Sequence, residues 1–258
     1  MYQWKAWHDC RTRVALYILV ALSSGILFGL NVISDANLHR YWATVYAASH
    51  RPFFNYDFYM DVPFWMLGWV VRQYGQIAAL LAGLSLGACS VGGEYGAGTM
   101  HFFLTRPDSR TNLIFTDWKI GLPAMVIIVG GLAFPLVPFL ALVHAKGPGN
   151  VLAGLPALWV LGAAVYGLSY FTTLVAGSAA RGLTLSVAVL LTYSFFPTAL
   201  HEWWHSATLL RATEWTLRAF HNNAWPLDPF EWGATAFWLV VAAGFLGASL
   251  AWIRFREV

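Results

Sequence analysis

Six long apolar segments constrain the fold of this chain more than any other feature of its sequence. A helix needs about 20 mostly apolar residues to cross the hydrocarbon core of a bilayer. The segments of about this length are 14–33, 73–91, 120–143, 151–177, 183–200 and 233–253. The second and fifth are the least clear, because they are short or flanked by polar residues. We therefore expect an all-α integral membrane protein with six transmembrane helices.

The composition agrees with a membrane protein and limits other classes. Of the 258 residues, 59% are hydrophobic and 10% are charged, whereas about a quarter of the residues in a soluble domain are charged. One transmembrane domain over residues 1–258 is the simplest organisation. The net charge of +3 is too small to indicate nucleic-acid binding.

The positions of Lys and Arg predict the orientation in the membrane, because cytoplasmic loops carry an excess of both. With a cytoplasmic N-terminus, the inner segments hold more of them than the outer segments. The inner ones are Lys5, Arg11, Arg13, Arg106, Arg110, Lys119, Arg181, Arg254 and Arg256, and the outer ones are Arg40, Arg51, Arg72, Lys146, Arg211 and Arg218. We expect both termini in the cytoplasm and a multi-pass protein of the cell inner (cytoplasmic) membrane. Cys10 and Cys89 then lie on or near the cytoplasmic side, where disulfides are rare.

Three flanking segments are predicted to lie at the membrane surface. Residues 1–13 combine tryptophans with basic residues, which is typical of a cytoplasmic interfacial helix or of a basic flank that fixes orientation. Residues 34–72 and 201–232 are rich in aromatic residues, which favour the headgroup layer. We expect outer interfacial loops there, either with short helices or as ordinary connections.

Small and polar residues inside the predicted spans indicate helix packing. Gly25 and Gly29, and likewise Gly83 and Gly87, have the small-x-x-x-small spacing that lets helices approach closely. Most such pairs mark packing within one chain. The hydroxyl residues of the spans are interpreted mainly as helix–helix hydrogen bonds and secondly as the lining of a substrate path; they include Ser169, Tyr170, Thr172 and Thr173.

A polar break over residues 92–119 separates the second and third predicted spans. Its glycines make a flexible turn, and Thr99 is a plausible N-cap for a short helix that Pro107 ends. The residues of this break that carry the pattern are Glu94, Gly98, Thr99, Met100, His101, Phe102, Phe103, Leu104, Arg106, Pro107, Ser109, Arg110 and Lys119. The exposed aromatic residues of such a helix need a cover, either the protein's own membrane face or a groove on a partner. Glu94, at the membrane edge, is either solvated or held by Arg110 or Lys119.

This order of residue types resembles the ABC type-2 transporter permeases, the membrane-spanning subunits of ATP-driven exporters. In that family a Glu ends the second span, and a Gly-Thr pair, an apolar stretch, a Pro, a Ser-Arg pair and a Lys follow. The resemblance implies that residues 92–119 are a cytoplasmic coupling loop whose short coupling helix docks into an ATP-binding subunit. It also implies two such subunits per transporter and a second permease, identical or different.

The chain itself lacks the phosphate loop of an ATPase. The glycines of residues 92–98 are not followed by the Gly-Lys-Ser/Thr that binds a phosphate. We therefore expect no cofactor in this chain, with ATP and Mg on the partner subunit. A lining with many aromatic residues and without central charges suits an apolar or amphipathic substrate.

Two other functions compete with transport driven by ATP. His201, Glu202 and His205 form a literal His-Glu-x-x-His, the pattern of zinc metalloproteases. Against that role, two tryptophans separate Glu202 from His205, and the segment is expected to follow Pro197 at the membrane edge rather than lie in a long helix. An ion-coupled secondary transporter needs ionisable groups deep in the membrane. The predicted spans hold none near their centres, although backbone carbonyls also bind sodium.

Overall fold

All the regular structure in the described part of the chain is α-helical. The computed structural model describes residues 2–49, 75–96, 98, 110–142, 149–204 and 232–255. Their helices are α1 (Tyr2–Ser49), α2 (Gln76–Gly96), α3 (Arg110–Ala133), α4 (Leu136–Leu142), α5 (Gly149–Ala176), α6 (Ala179–Trp204) and α7 (Trp232–Phe255).

Four stretches of these helices are long and apolar enough to cross a membrane. They are Cys10–Asn31, Thr111–Phe139, Leu155–Ala176 and Thr235–Phe255, and they coincide with the first, third, fourth and sixth predicted spans. Two shorter apolar helices, Gln76–Ser90 and Ala179–Tyr193, coincide with the second and fifth. The chain is therefore an all-α, multi-pass membrane protein.

Helix α1 is longer than the sequence predicted. It runs without a break from Tyr2 to Ser49, so neither residue 13 nor residue 33 ends a helix. The physical reason is that no glycine follows Gly29 within α1 and the first proline of the chain is Pro52. Its 48 residues extend about 72 Å, more than twice the thickness of a hydrocarbon core, which is about 30 Å.

The third predicted span also differs in its bounds. Helix α3 begins at Arg110, ten residues before the predicted start of the span at Ile120. It ends at a turn formed by Phe134 and Pro135, where the N–H of Phe134 donates to the carbonyl of Gly130 at 2.8 Å. Pro135 has no N–H with which to continue the helix. The helix therefore stops at this turn, and α4 begins at Leu136.

Helix α5 forms the centre of the bundle. It contacts α2 most extensively, then α7, α6 and α3, and its side chains from Leu161 to Tyr170 are all buried. Helices α1 and α7 lie at the periphery and expose apolar side chains. These are Leu16, Leu19, Val20, Leu22, Ile26, Leu27 and Leu30 on α1, and Leu239, Val240, Trp252 and Phe255 on α7. Such faces suit a lipid environment.

The glycine pairs lie where helices meet, as predicted. A Cβ atom on Gly83 would lie 2.8 Å from the carbonyl oxygen of Gly162, and one on Gly87 would lie 2.5 Å from that of Tyr166. Gly25 faces the backbone of α3 in the same way. Because these neighbours are backbone atoms, only glycine lets α1 approach α3, and α2 approach α5, this closely.

Hydroxyl groups join α5 to α6 across a tight turn. Gly177, in this turn, has a φ of 64°, which glycine adopts at little cost. The Thr172 hydroxyl lies 3.0 Å from the carbonyl of Gly182 and 2.6 Å from the Ser186 hydroxyl. The Ser169 hydroxyl donates to the carbonyl of Leu84 on α2 at 2.7 Å. The packing role predicted for Ser169 and Thr172 is thus confirmed.

Candidate functional site

The predicted coupling loop connects α2 to α3, and only its two ends are among the described residues. Glu94 lies in the last turn of α2, Gly98 follows that helix, Arg110 begins α3, and Lys119 is exposed on α3. The other predicted docking residues lie outside the described residues, so their roles stay predictions. They are Thr99, Met100, His101, Phe102, Phe103, Leu104, Arg106, Pro107 and Ser109.

The backbone at Gly98 is suited to turn the chain away from α2. Its φ is 68°, in the left-handed region that residues with a side chain rarely adopt. A Cβ atom there would meet nothing within 4 Å. The glycine is therefore explained by backbone conformation, as at many helix C-termini, and not by close packing.

The side chain of Glu94 is buried, whereas one of its two predicted environments was solvent. Its side chain is 5% exposed, which excludes a fully solvated carboxylate at this end of α2. A carboxylate removed from water needs hydrogen-bonding or charged partners, and Glu94 does interact with neighbouring groups. The burial of Glu94 thus favours a role in which its carboxylate connects the end of α2 to the rest of the bundle.

A second buried carboxylate, Asp117, is not among the site residues predicted from the sequence. It is 4% exposed and lies within the Thr111–Phe139 span, although the prediction had placed it in the loop before residue 120. A signal was present: Leu113, Ile114, Trp118 and Gly121 are buried at helical spacing. That stripe places Asp117 on the inner face of α3.

Two tyrosines of α5 hold Asp117. The hydroxyl of Tyr170 donates to Oδ2 of Asp117 at 3.1 Å, and the hydroxyl of Tyr166 donates to the backbone carbonyl of Asp117, also at 3.1 Å. Both tyrosines are completely buried. The carboxylate and the backbone of α3 are thus bonded to the central helix at the same level.

Ser90 and Trp118 complete this group. The hydroxyl of Ser90, on α2, lies 3.4 Å from that of Tyr166. The Trp118 ring packs edge-on against Tyr166 and Tyr170, with centroids 5.4 and 6.4 Å away. We call Ser90, Asp117, Trp118, Tyr166 and Tyr170 the Asp117 cluster. It joins α2, α3 and α5 inside the bundle.

A glycine of α3 makes room for this arrangement. A Cβ atom on Gly121 would lie 2.5 Å from Cζ and 2.7 Å from the hydroxyl oxygen of Tyr166. Because Tyr166 is enclosed on all sides, its ring has no space to retreat. Gly121 therefore lets the Tyr166 hydroxyl reach the carbonyl of Asp117.

The charged side chains that the structure describes gather at one end of the bundle. Val14, Ile114, Leu174 and Ile253 share one buried cluster, which brings the starts of α1 and α3 together with the ends of α5 and α7. The exposed bases near this end are Arg11, Arg13, Lys119, Arg181 and Arg254. The two buried carboxylates, Glu94 and Asp117, lie at the same end, so this end combines exposed bases with buried acids.

The competing zinc motif begins on a helix, contrary to the expectation that it lies outside a long one. Helix α6 runs for 26 residues through Pro197 to Trp204. His201 and Glu202 thus lie in its last turn, whereas His205 lies outside the described residues. Among the described residues, no group of three His, Cys, Asp or Glu side chains has the arrangement of a metal site.

Comparison with known proteins gives no relative from which to transfer a function. No protein-family model, no curated protein and no solved structure matches this chain.

Proposed function

We propose that this chain is the membrane permease subunit of an ABC exporter. The observation that carries the proposal is the ordered set of residue types from Glu94 to Lys119, which connects two adjacent helices of a membrane protein. ATP hydrolysis takes place on a separate subunit that docks on this loop. Two such subunits, each binding ATP and Mg, and a second permease complete the transporter.

In this proposal α2 and α6 also cross the bilayer, which gives six spans. Their 21 and 26 residues correspond to about 32 and about 39 Å of helix, enough for a hydrocarbon core of about 30 Å. Both helices also pack against α5, the most enclosed span. The membrane is the cell inner membrane.

The proposed orientation places the charged end of the bundle in the cytoplasm. Arg13, Lys119, Arg181 and Arg254 are exposed there, and exposed Lys and Arg favour the cytoplasmic side of a membrane protein. The loop between α2 and α3 leaves the bundle at this end, where an ATP-binding subunit has access to it. Both termini lie on the same side.

Transport then follows from alternating access. The closing of the ATP-binding subunits moves the loop, and the loop moves the ends of α2 and α3. The bundle changes between inward-open and outward-open states, and nucleotide shifts the population of the two. The substrate is apolar or amphipathic.

The test compares two Phe-Phe pairs of the same chain. Replacing Phe102 and Phe103 by Asp removes the apolar anchors of the proposed coupling helix. Replacing Phe53 and Phe54 by Asp makes the same chemical change in the proposed outer loop. We expect the first variant to lose a co-purifying ATP-binding subunit and the second to retain it. Retention of that subunit by the first variant would contradict the docking role.

One observation favours a second candidate, an ion-coupled transporter. An ionisable residue inside a membrane span is by default a candidate for ion or proton transfer, and Asp117 is such a residue. A pH gradient across liposomes that contain only this chain separates the two functions. Proton flux that disappears in Asp117→Asn would favour the second candidate, whereas the exporter proposal predicts no flux above that of empty liposomes.

A further inference from the structure

The helix contacts divide the bundle into two groups. Helices α1, α3 and α4 form the first group, in which α1 packs extensively on α3 and α4. Helices α2, α5, α6 and α7 form the second group, which is built around α5. The contacts of α3 with α5, α2 and α7, and of α1 with α2, are each less extensive than those of α1 with α3 and of α5 with α2, α6 and α7. We call the boundary between the groups the seam.

The proposed coupling loop connects one group to the other. Its first end continues α2, in the second group, and its last end begins α3, in the first. A force on this loop therefore acts across the seam, whereas a force on the turn between α5 and α6 acts within the second group. Because of this placement, a movement of the loop would shift the two helix groups relative to each other along the seam.

Hydrogen bonds from described side chains cross the seam. Tyr17 donates to the Ser85 hydroxyl, and Trp159 donates to the carbonyl of Leu122. Two more converge on Asp117, through its carboxylate and its backbone carbonyl. Of the side chains in these bonds, Asp117 alone is a carboxylate, and it lies near the end of the bundle from which the loop leaves.

Burying an acid here costs free energy, and a bond that only connects two helices does not require an acid. Removing a carboxylate from water costs several kcal/mol before its partners compensate. Tyr166 ties α3 to α5 through a backbone carbonyl alone, so packing at this point does not need the acid. In return, a hydrogen bond to an ionised group is about twice as strong as a neutral one. The bond between Asp117 and Tyr170 is thus a strong one, and it connects the two groups.

We propose that Asp117 is a positioning residue of the transport cycle, whose bond to Tyr170 holds the two helix groups together in the resting state. This inference deepens the proposed function and depends on it for the role of nucleotide. Movement of the loop separates the groups and breaks the bond between Asp117 and Tyr170. Asp117 thereby sets how readily nucleotide changes the state of the bundle.

Cys10 provides a reporter of this movement. It lies on α1, in the first group, and packs against the buried cluster that contains Trp118, Tyr166 and Tyr170. Its thiol is partly buried, so opening the seam exposes it. With Cys89 replaced by Ser, the rate at which a maleimide labels Cys10 measures the fraction of open seam.

The experiment compares Asp117→Asn and Tyr170→Phe with Tyr193→Phe in the complex with its ATP-binding subunit. Tyr193 packs on Trp238 within the second group, so Tyr193→Phe is a matched change away from the seam. We expect both of the first two variants to label faster than the parent without nucleotide. The factor is roughly fivefold for Tyr170→Phe, which loses one hydrogen bond. It is smaller for Asp117→Asn, whose amide oxygen still accepts that bond without the negative charge. ATP with vanadate should accelerate labelling in the parent and add little in these variants.

A double variant separates positioning from general loosening of the fold. If Asp117 acts through Tyr170, Asp117→Asn combined with Tyr170→Phe should label no faster than Tyr170→Phe alone. Additive rates, rates equal to the parent, or the same acceleration in Tyr193→Phe would overturn the proposal.

Different results would refute the proposal for the seam and the proposal of an exporter. The same variants are labelled as the purified chain alone, without nucleotide, where the seam still predicts faster labelling for Asp117→Asn. If no ATP-binding subunit co-purifies but this acceleration is seen, the exporter proposal fails and the seam stands. If the subunit is present and Asp117→Asn labels like the parent, the seam is refuted and the exporter proposal stands.

Discussion

At the scale of single residues, glycines decide how closely the helices of this bundle approach. Gly87 allows the backbone of α2 to contact that of α5, and Gly121 allows Tyr166 to reach the carbonyl of Asp117. In a bilayer, helix association depends on packing and hydrogen bonds more than on hydrophobic burial. A single methyl group added at these positions should therefore lower the stability of the bundle.

Substitution of Gly121 by Ala should destabilise the bundle. The added Cβ atom overlaps the enclosed ring of Tyr166, and overpacking of this kind costs about 1–3 kcal/mol. The free energy of unfolding in mixed detergent micelles measures the change. Gly244→Ala is the control, because a Cβ atom there meets nothing within 4 Å. Equal stability of Gly121→Ala and the parent would contradict the described position of Tyr166.

A matched pair of threonines tests the junction of α5 and α6. Thr172 is buried and bonds to Gly182 and Ser186, whereas Thr184 is exposed and bonds only within its own helix, to Ala180. Thr172→Val should lower the free energy of unfolding by about 1 kcal/mol, as for other hydrogen bonds between membrane helices. Thr184→Val should change it little. A larger loss of unfolding free energy in Thr184→Val than in Thr172→Val would show that the α5–α6 junction does not depend on the Thr172 hydroxyl.

At the scale of helices, the number of residues decides what crosses the membrane, and helix-breaking residues decide where a helix ends. The apolar segments predicted the positions of the four candidate spans well, because length and composition are local properties. They predicted helix ends poorly. Helix α1 passes residue 33 because nothing in its sequence stops it, and α3 begins before residue 120 because helical periodicity extends beyond the apolar run.

The continuity of α1 is directly measurable. If the helix is unbroken, spin labels at Thr12 and Ala48 lie 36 residues and about 54 Å apart. Pulsed electron–electron double resonance on the protein in lipid nanodiscs gives this distance. A value below about 40 Å, too short for a straight helix of that length, would mean that the chain turns near the membrane surface, as the sequence had suggested.

The candidate site was only partly predictable for a related reason. The order of residues from Glu94 to Lys119 is visible in the sequence, and so is the resemblance that it carries. The Asp117 cluster is not, because it depends on contacts between residues up to 76 positions apart, such as Ser90 and Tyr166. The periodicity of one helix indicates which face is buried but not which helix covers it.

At the scale of the whole molecule, the chain is a bundle of two helix groups with a basic rim at one end. In the proposed exporter, this end faces the ATP-binding subunits and the loop between α2 and α3 transmits their movement across the seam. Four apolar helices place the chain in a membrane. The composition of the complete transporter then decides between the proposed function and its alternatives.

Native mass spectrometry of the complex, purified in a gentle detergent from the source membrane, tests the central claim most directly. We expect two permease chains, this one with a copy of itself or with a second permease, and two copies of a subunit that carries a phosphate-binding loop. Addition of ATP and Mg should give turnover that vanadate inhibits. This chain alone, or only with copies of itself, would contradict the account.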